Sequence, residues 1–270
     1  MTLDEVARRG LVLLGCGKMG SAMLAGWLKG GLPAQAVHVL DPHPSDWLRA
    51  TGVHLNGDLP QSPAVLVVAV KPQVMAEALP DARAFGGGDT LVVSVAAGTP
   101  IATFERVMGP GTPVVRAMPN TPAAVGRGVT AIVGNAETGE GHLALAEALL
   151  STVGLVERVE AEAQIAAVTA LSGSGPAYVF LMIEAMAAAG RDLGLPEDMA
   201  LRFATGTVAG AGYLATESDE APDQLRRNVT SPGGTTQAAL DVLMGEEGLG
   251  PLMARAMQAA ARRAEELAHG

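Results

Sequence analysis

Short apolar runs alternate with helical periodicities through the first part of the chain. Leu11-Val-Leu-Leu14 runs into Gly15-Cys-Gly-Lys-Met-Gly20 and then into an amphipathic stretch over 21–29, which reads as strand, glycine turn and helix. Val37–Leu40 is expected to be a second strand, closed by Asp41-Pro42, and further apolar runs lie at 64–70, 90–95, 113–118 and 129–133. Strands that are apolar at nearly every position and alternate with helices indicate a parallel sheet covered on both faces. Beyond Glu160 the strand signals stop. Helical spacing takes over at 164–171, 176–193, 196–214, 235–244 and Leu249–His269, several segments starting with Pro in the first turn, where its missing N–H costs nothing. The acids and proline of 219–223 predict an exposed connection. The expected architecture is an α/β domain over 1–160 followed by an all-helical domain over 161–270.

Composition narrows the possible roles. Hydrophobic residues make up 49% of the 270 positions and charged ones only 17%, enough for a large core and against disorder. Aromatics are only 3%, so the apolar mass is Ala, Val, Leu and Met, small side chains that let helices approach closely. A net charge of −10 with no basic run argues against nucleic acid as a partner. Cys16 is the single cysteine, so no intrachain disulfide is possible, and it reads as a small loop residue rather than a nucleophile. His38, His43, His54, His142 and His269 are scattered singly, which predicts no metal. The runs at Leu11–Leu14, 65–70 and 91–95 are too short to span a bilayer, and the acidic first residues do not form a signal peptide. A soluble, cytoplasmic protein without a membrane partner is the expectation.

Two kinds of binding chemistry stand out. Gly15-x-Gly-x-x-Gly20 ends a strand and opens a helix, the context in which the pattern means a Rossmann-like dinucleotide site: tight turn, close approach of pyrophosphate, helix packed on strand. Cys16, Lys18 and Met19 lie within that loop. Asp41, at the end of the second strand, would accept from adenine ribose hydroxyls and repel a 2′-phosphate, whereas His43 and Arg49 beyond it would favour that phosphate; Asp before Pro is also a common turn. NADPH and NADH both stay open. Ala69-Val-Lys-Pro72 and Ala96-Ala-Gly98 end later strands at the sheet edge where ligands bind, the second with side chains small enough to admit a nicotinamide ring.

The second kind of chemistry lies in the helical half. Ser172-Gly-Ser-Gly-Pro-Ala177 and Ser231-Pro-Gly-Gly-Thr-Thr236 each place small residues before a helix, offering backbone N–H groups at the positive end of its dipole. Between Gln164 and Thr216 the only cations are Arg191 and Arg202, so an anion here would be a small carboxylate held by backbone and by the hydroxyls of Ser174, Thr235 and Thr236. The same residues also serve as ordinary helix caps.

Taken together, Gly15-Cys-Gly-Lys-Met-Gly20, Ala69-Val-Lys-Pro72, Ser94-Val-Ala-Ala-Gly98, Arg116-Ala-Met-Pro-Asn-Thr-Pro122, Leu171-Ser-Gly-Ser-Gly-Pro-Ala-Tyr178 and Asn228-Val-Thr-Ser-Pro-Gly-Gly-Thr-Thr236 make the chain resemble pyrroline-5-carboxylate reductases over almost its whole length. The resemblance implies reduction of (S)-1-pyrroline-5-carboxylate to L-proline by NADPH or NADH, the last step of proline biosynthesis. It implies that Ser174, Gly175, Ser231, Gly233, Gly234, Thr235 and Thr236 bind substrate, with Thr236 as the catalytic residue at the imine nitrogen and Glu162 nearby. Gly15, Cys16, Gly17, Lys18, Met19, Gly20, Asp41, Asn56, Ala69, Val70, Lys71, Pro72, Ala96, Ala97 and Gly98 are the matching cofactor positions. It further implies a homodimer through the helical domain, with five dimers in a ring as the larger assembly, and a mainly structural role for Arg116 and Asn120. Asp41-Pro42 departs from the Ser, Thr or Asn common there, which puts NADPH preference in question.

Related readings are weaker. A β-hydroxyacid dehydrogenase needs a lysine in the helical half, and none follows Lys71. A different imine reductase of the same architecture, or a protein that only senses NAD(P), would share the nucleotide loop. A pyridoxal-phosphate-carrying regulator would have only Lys18, Lys29 and Lys71 to hold its cofactor.

Overall fold

The structure, a computed structural model, describes residues 3–71, 74, 75, 79 and 82–269. Pro72, one of the expected cofactor positions, lies outside the described residues. The sheet portion contains α1 (Leu3–Arg9), β1 (Leu11–Leu14), α2 (Lys18–Lys29), β2 (Val37–Leu40), α3 (Asp46–Ala50), β3 (His54–Leu55), β4 (Val65–Val68), β5 (Leu91–Ser94), α4 (Ile101–Met108), β6 (Val114–Met118), β7 (Gly128–Gly134), α5 (Glu140–Leu150) and β8 (Gly154–Arg158). Then come α6 (Gln164–Val168), a π turn (Thr169–Gly173), α7 (Gly175–Asp192), α8 (Glu197–Glu217), α9 (Pro222–Asn228), α10 (Thr235–Leu243) and α11 (Leu249–His269).

Among the described residues the strands form one sheet in the order β3-β2-β1-β4-β5-β6-β7-β8. All neighbours are parallel except β6 and β7. The purely parallel sheet expected from the apolar runs is therefore corrected at that pair. A parallel return would need a crossover, whereas only a 3-10 turn (Thr121–Val125) and a left-handed Gly126 at φ 71 connect these strands. Two strands escaped the sequence: β3 has only two residues, and β8 carries Glu157 and Arg158 on a half-exposed edge, so neither shows an apolar run. Helix α9 also begins inside the stretch expected to be a connection, with Pro222 in its first turn and Arg227 bonded to Asp223 at 2.7 Å one turn earlier.

Alternation along the strands splits the core between the two faces. Leu11 and Leu13 join Trp27, Val67 and Leu149, while Val12 and Leu14 join Leu66, Phe104 and Val133. Trp27 donates from Nε1 to the Leu149 carbonyl at 2.9 Å, so the largest buried ring leaves no orphan donor. Each such aliphatic side chain withdrawn from water contributes about 1.5–3 kcal/mol.

The chain divides into two compact units, Met1–Gly173 with Ala261–Gly270, and Ser174–Ala260. The change of character near residue 160 marks the end of β8; the first unit nevertheless continues through α6 and the π turn. In the second unit α7 and α8 pack on each other, with Gly190 facing Ala200 so closely that a Cβ would stand 3.3 Å from the alanine methyl. Helix 164–192 is long and apolar enough to cross a membrane by length and composition alone, a property that the short strand runs did not reveal.

Candidate active site

The three glycines of the loop after β1 serve three different purposes. Gly15 adopts φ 87 and lies against Ala69 and Val70, where a Cβ would come within 2.8 Å of the valine side chain. A Cβ on Gly20 would strike the Gly15 carbonyl oxygen, so helix and turn need that glycine to pack. Gly17 has nothing within 4 Å of where a Cβ would be, and an ordinary φ of −70. The protein's own packing does not require glycine at position 17. The backbone there is open to close approach, at the start of α2, whose first turn no side chain caps. Within the loop Cys16 is half-buried; burial and the neighbouring Asp41 carboxylate push its thiol up to about 11, so it stays protonated and unreactive at neutral pH. Lys18 and Met19 begin α2.

Asp41 is built into this loop. Its Oδ2 accepts from Cys16 N at 2.7 Å and its Oδ1 from His43 N at 2.8 Å. Asn56 brackets the same residue: its Oδ1 accepts from Asp41 N at 2.9 Å and its Nδ2 donates to the Asp41 carbonyl at 2.8 Å. Asn56 holds φ 51, a left-handed conformation that asparagine tolerates better than most residues. The amide of Asn56 is thus committed to holding Asp41, and the Asp41 charge to holding the glycine loop. Each carboxylate oxygen keeps a free lone pair, so a ribose hydroxyl can still be accepted.

Ala69, Val70 and Lys71 leave β4, and Ala96, Ala97 and Gly98 leave β5, both at the carboxyl edge beside the glycine loop; Lys71 and Ala97 are exposed. Next to them a cavity of about 750 Å³ is lined by Ala97, Gly98, Arg116, Glu162, Thr169 and Leu267, among others. That volume suits a small-molecule site. Glu162 places Oε1 2.7 Å from Arg116 Nη1 and 2.8 Å from Ile101 N, so one carboxylate oxygen ties together β6, the start of α4 and the residues before α6. Neither Ile101 nor Leu267 carries a sequence motif; they reach the site through a backbone N–H and through the last turns of α11, which no residue pattern announces.

Ser174 precedes α7 and makes no side-chain cap, with Gly175 as the first helical residue. Gly233 adopts φ 70, Gly234 precedes α10 with its N–H on the Ser231 carbonyl at 3.0 Å, and Thr235 and Thr236 form the first turn. The side chains thus leave these first turns uncapped, contrary to what ordinary caps would do. No residue of α10 is buried. Among the described residues the structure therefore brings the expected cofactor positions to one sheet edge and joins Glu162 to Arg116, while 231–234 lead into α10, a helix with no buried residue.

Sheet order, glycine loop and edge residues define the class: a dinucleotide-dependent oxidoreductase with an all-helical C-terminal half. The comparisons with known proteins narrow that class. Residues 10–98 match the family described as NADP oxidoreductase coenzyme F420-dependent, and residues 162–267 match pyrroline-5-carboxylate reductase dimerisation. The pyrroline-5-carboxylate reductase of Pseudomonas aeruginosa is 38% identical over 264 residues, covering 96% of each chain. The solved reductase of the same name from Coxiella burnetii has a TM-score of 0.91 at 35% identity, covering 96% of this chain and 98% of that one. A pyrroline carboxylate reductase from Plasmodium falciparum, solved with NADP bound, has a TM-score of 0.84 at 26% identity, covering 97% and 99%. The chain belongs to the pyrroline-5-carboxylate reductase family.

Proposed function

We propose that the protein reduces (S)-1-pyrroline-5-carboxylate to L-proline. Bound NAD(P)H supplies the hydride, which goes to ring carbon C5 while the ring nitrogen carries the proton. The glycine loop, with its open space over Gly17, holds the pyrophosphate; Asp41 meets the adenine ribose; Ala96–Gly98 leave room for the nicotinamide beside the sheet edge. The N–H groups and hydroxyls at Ser174, Gly175 and 231–236 hold the substrate carboxylate without a cation. Thr236 donates a hydrogen bond that orients the ring nitrogen, and, a threonine hydroxyl being a weak acid, any proton that nitrogen gains comes from water by relay through it. Positioning then supplies most of the acceleration.

The observation that carries this reading is the near full-length likeness to pyrroline-5-carboxylate reductases, joined to a glycine loop whose middle glycine meets nothing in the chain's own packing. On this reading nucleotide binding belongs to 1–160, and substrate binding with dimerisation to 161–270. The protein is a homo-oligomer. The exposed α10 supports a dimer whose second copy covers the 231–236 segment, with five dimers in a ring. The same cover, rather than lipid, shields helix 164–192, and the protein works in the cytoplasm. Incubating the purified protein with pyrroline-5-carboxylate and either NADH or NADPH should yield proline in step with cofactor oxidation. If no proline forms with either cofactor, the reading is wrong.

A further inference from the structure

The first compact unit takes in a stretch far along the chain from its strands: 261–270, with the last turns of α11. Ala261, Ala264 and Ala268 are spaced three and four residues apart, so they share one face of that helix, and each is partly buried. Leu267, next to Ala268, is 55% exposed. The leucine stands over the end of β5. Gly98 holds φ 72, and a Cβ there would lie 3.4 Å from the Leu267 carbonyl oxygen and 3.6 Å from its Cβ. Strand end and helix end thus face each other with room for about one methyl group between them, at a backbone conformation that glycine adopts without strain.

Both elements line the cavity of about 750 Å³: Ala97 and Gly98 from the sheet edge, Ala264, Leu267 and Ala268 from the helix. This part of the lining is small and apolar. The buried arginine of the cavity is already paired, Arg116 to Glu162 at 2.7 Å. A leucine more than half exposed beside such a cavity forgoes burial that a flat ring could supply. Dihydronicotinamide has the matching shape, two broad faces with little polarity. One face must meet the substrate for hydride transfer, and the other needs cover from water.

We propose that the last turns of α11 form the outer wall of the nicotinamide subsite, with Leu267 as the side chain that covers the ring opposite Ala97 and Gly98. Nucleotide binding then extends beyond 1–160 to the far end of the chain. The adenine half of the cofactor, held at the glycine loop and Asp41, owes nothing to this wall. Leu267 carries no charge and no proton, so its contribution is contact area and exclusion of water. The proposal rests on the reductase reading above only in requiring a nicotinamide cofactor.

Two substitutions and two ligands test the wall. Leu267→Ala trims it and keeps the helix, alanine being the better helix former, while Leu267→Met keeps the bulk. The ligands are NAD(P)H and ADP-ribose, the latter carrying a 2′-phosphate if NADPH is the preferred cofactor; ADP-ribose has the nucleotide half and no nicotinamide. Isothermal titration calorimetry on the full chain should show Leu267→Ala binding NAD(P)H about 10-fold more weakly, with ADP-ribose within about twofold of the parent. Leu267→Met should bind both ligands as the parent does. The wall is refuted if Leu267→Ala weakens the two ligands alike, the mark of a loosened fold, or weakens neither, which assigns the leucine to other packing. A Leu267→Met protein as weak as Leu267→Ala also refutes it, since the bulk was kept. The readout needs no turnover: a parent that binds NAD(P)H yet forms no proline ends the reductase reading and leaves this test standing.

Discussion

In the first compact unit, β1, β4 and β5 are buried at every position; across 174–260, by contrast, only Ala200 and Ala204 are buried among the described residues. The helical unit is no less apolar. Phe180, Leu181, Phe203, Leu214 and Val242 are all more than half exposed, and each forgoes about 1.5–3 kcal/mol that burial would contribute. A sheet with helices on both faces closes its own core, because alternate side chains of one strand reach both layers. Two packed helices bury one seam and leave the rest of their surface open. The contrast teaches that the first unit is complete within one chain, whereas the second is half of something larger, consistent with the dimerisation family it matches.

Charge placed on the open helical surface should break that contrast most sharply. Phe180→Asp would leave a carboxylate in the interface; size-exclusion with light scattering should show dissociation to monomer, and activity should fall at least about 100-fold, since a buried unpaired charge costs about 3–5 kcal/mol. An unchanged oligomer would mean that this face is not the one covered. Thr236→Val tests the chemistry carried on the same unit. It should lower kcat by about 100-fold while NAD(P)H binding stays intact, in line with the loss of a proton donor or orienter. Normal turnover would remove Thr236 from the mechanism.

The sheet unit offers the reverse experiment, a change that binding feels and folding does not. Gly17→Ala has room for its methyl and should keep or slightly raise Tm, yet weaken NAD(P)H by about tenfold or more, because the ligand loses its close approach. Gly20→Ala should instead lower Tm, since its methyl meets the Gly15 carbonyl. Equal effects of the two on Tm would show that the glycines share one role. Asp41→Asn keeps the side-chain shape and removes the charge; kcat/KM for NADPH relative to NADH should rise about tenfold. No change in that ratio would mean the carboxylate serves the glycine loop alone.

The smallest effect concerns His38, which stacks on His54 with ring centroids 4.4 Å apart. Burial, and then the neighbouring His54, hold its pKa below the ordinary histidine value, while its bond to the Asp58 carbonyl opposes the shift. A depressed histidine pKa means that the unfolded chain binds the proton first. Stability is therefore full above the unfolded value of about 6.5 and declines as pH falls from there through the folded pKa. His38→Gln should flatten the fall of Tm between neutral and mildly acidic pH, and an identical slope in the variant would assign the dependence elsewhere.

Much of this was legible from residues in order. Continuous apolar runs located six strands because buried parallel strands have no polar face to interrupt them. The glycine loop was legible because a turn, a helix start and a close approach each demand a small residue at a set spacing. β3 and β8 were hidden by shortness and by edge polarity. The reversal at β7 was hidden because strand direction depends on the length of the connection and not on the strand itself.

By itself the sequence determined the order of elements, the nucleotide loop, the scarcity of cations between Gln164 and Thr216 and the resemblance to a reductase family. These are properties of local periodicity and residue type, which act over a few neighbouring positions. Only the tertiary structure decided that Asn56 spends its amide on Asp41, that Glu162 joins Arg116 to Ile101 N, and that Leu267 stands over Gly98. Those pairs lie 15 to 61 residues apart along the chain or rest on close packing between segments. A hydrogen bond over such a separation depends on where the sheet carries each backbone, and that is settled by packing of the whole unit rather than by any stretch of the chain alone.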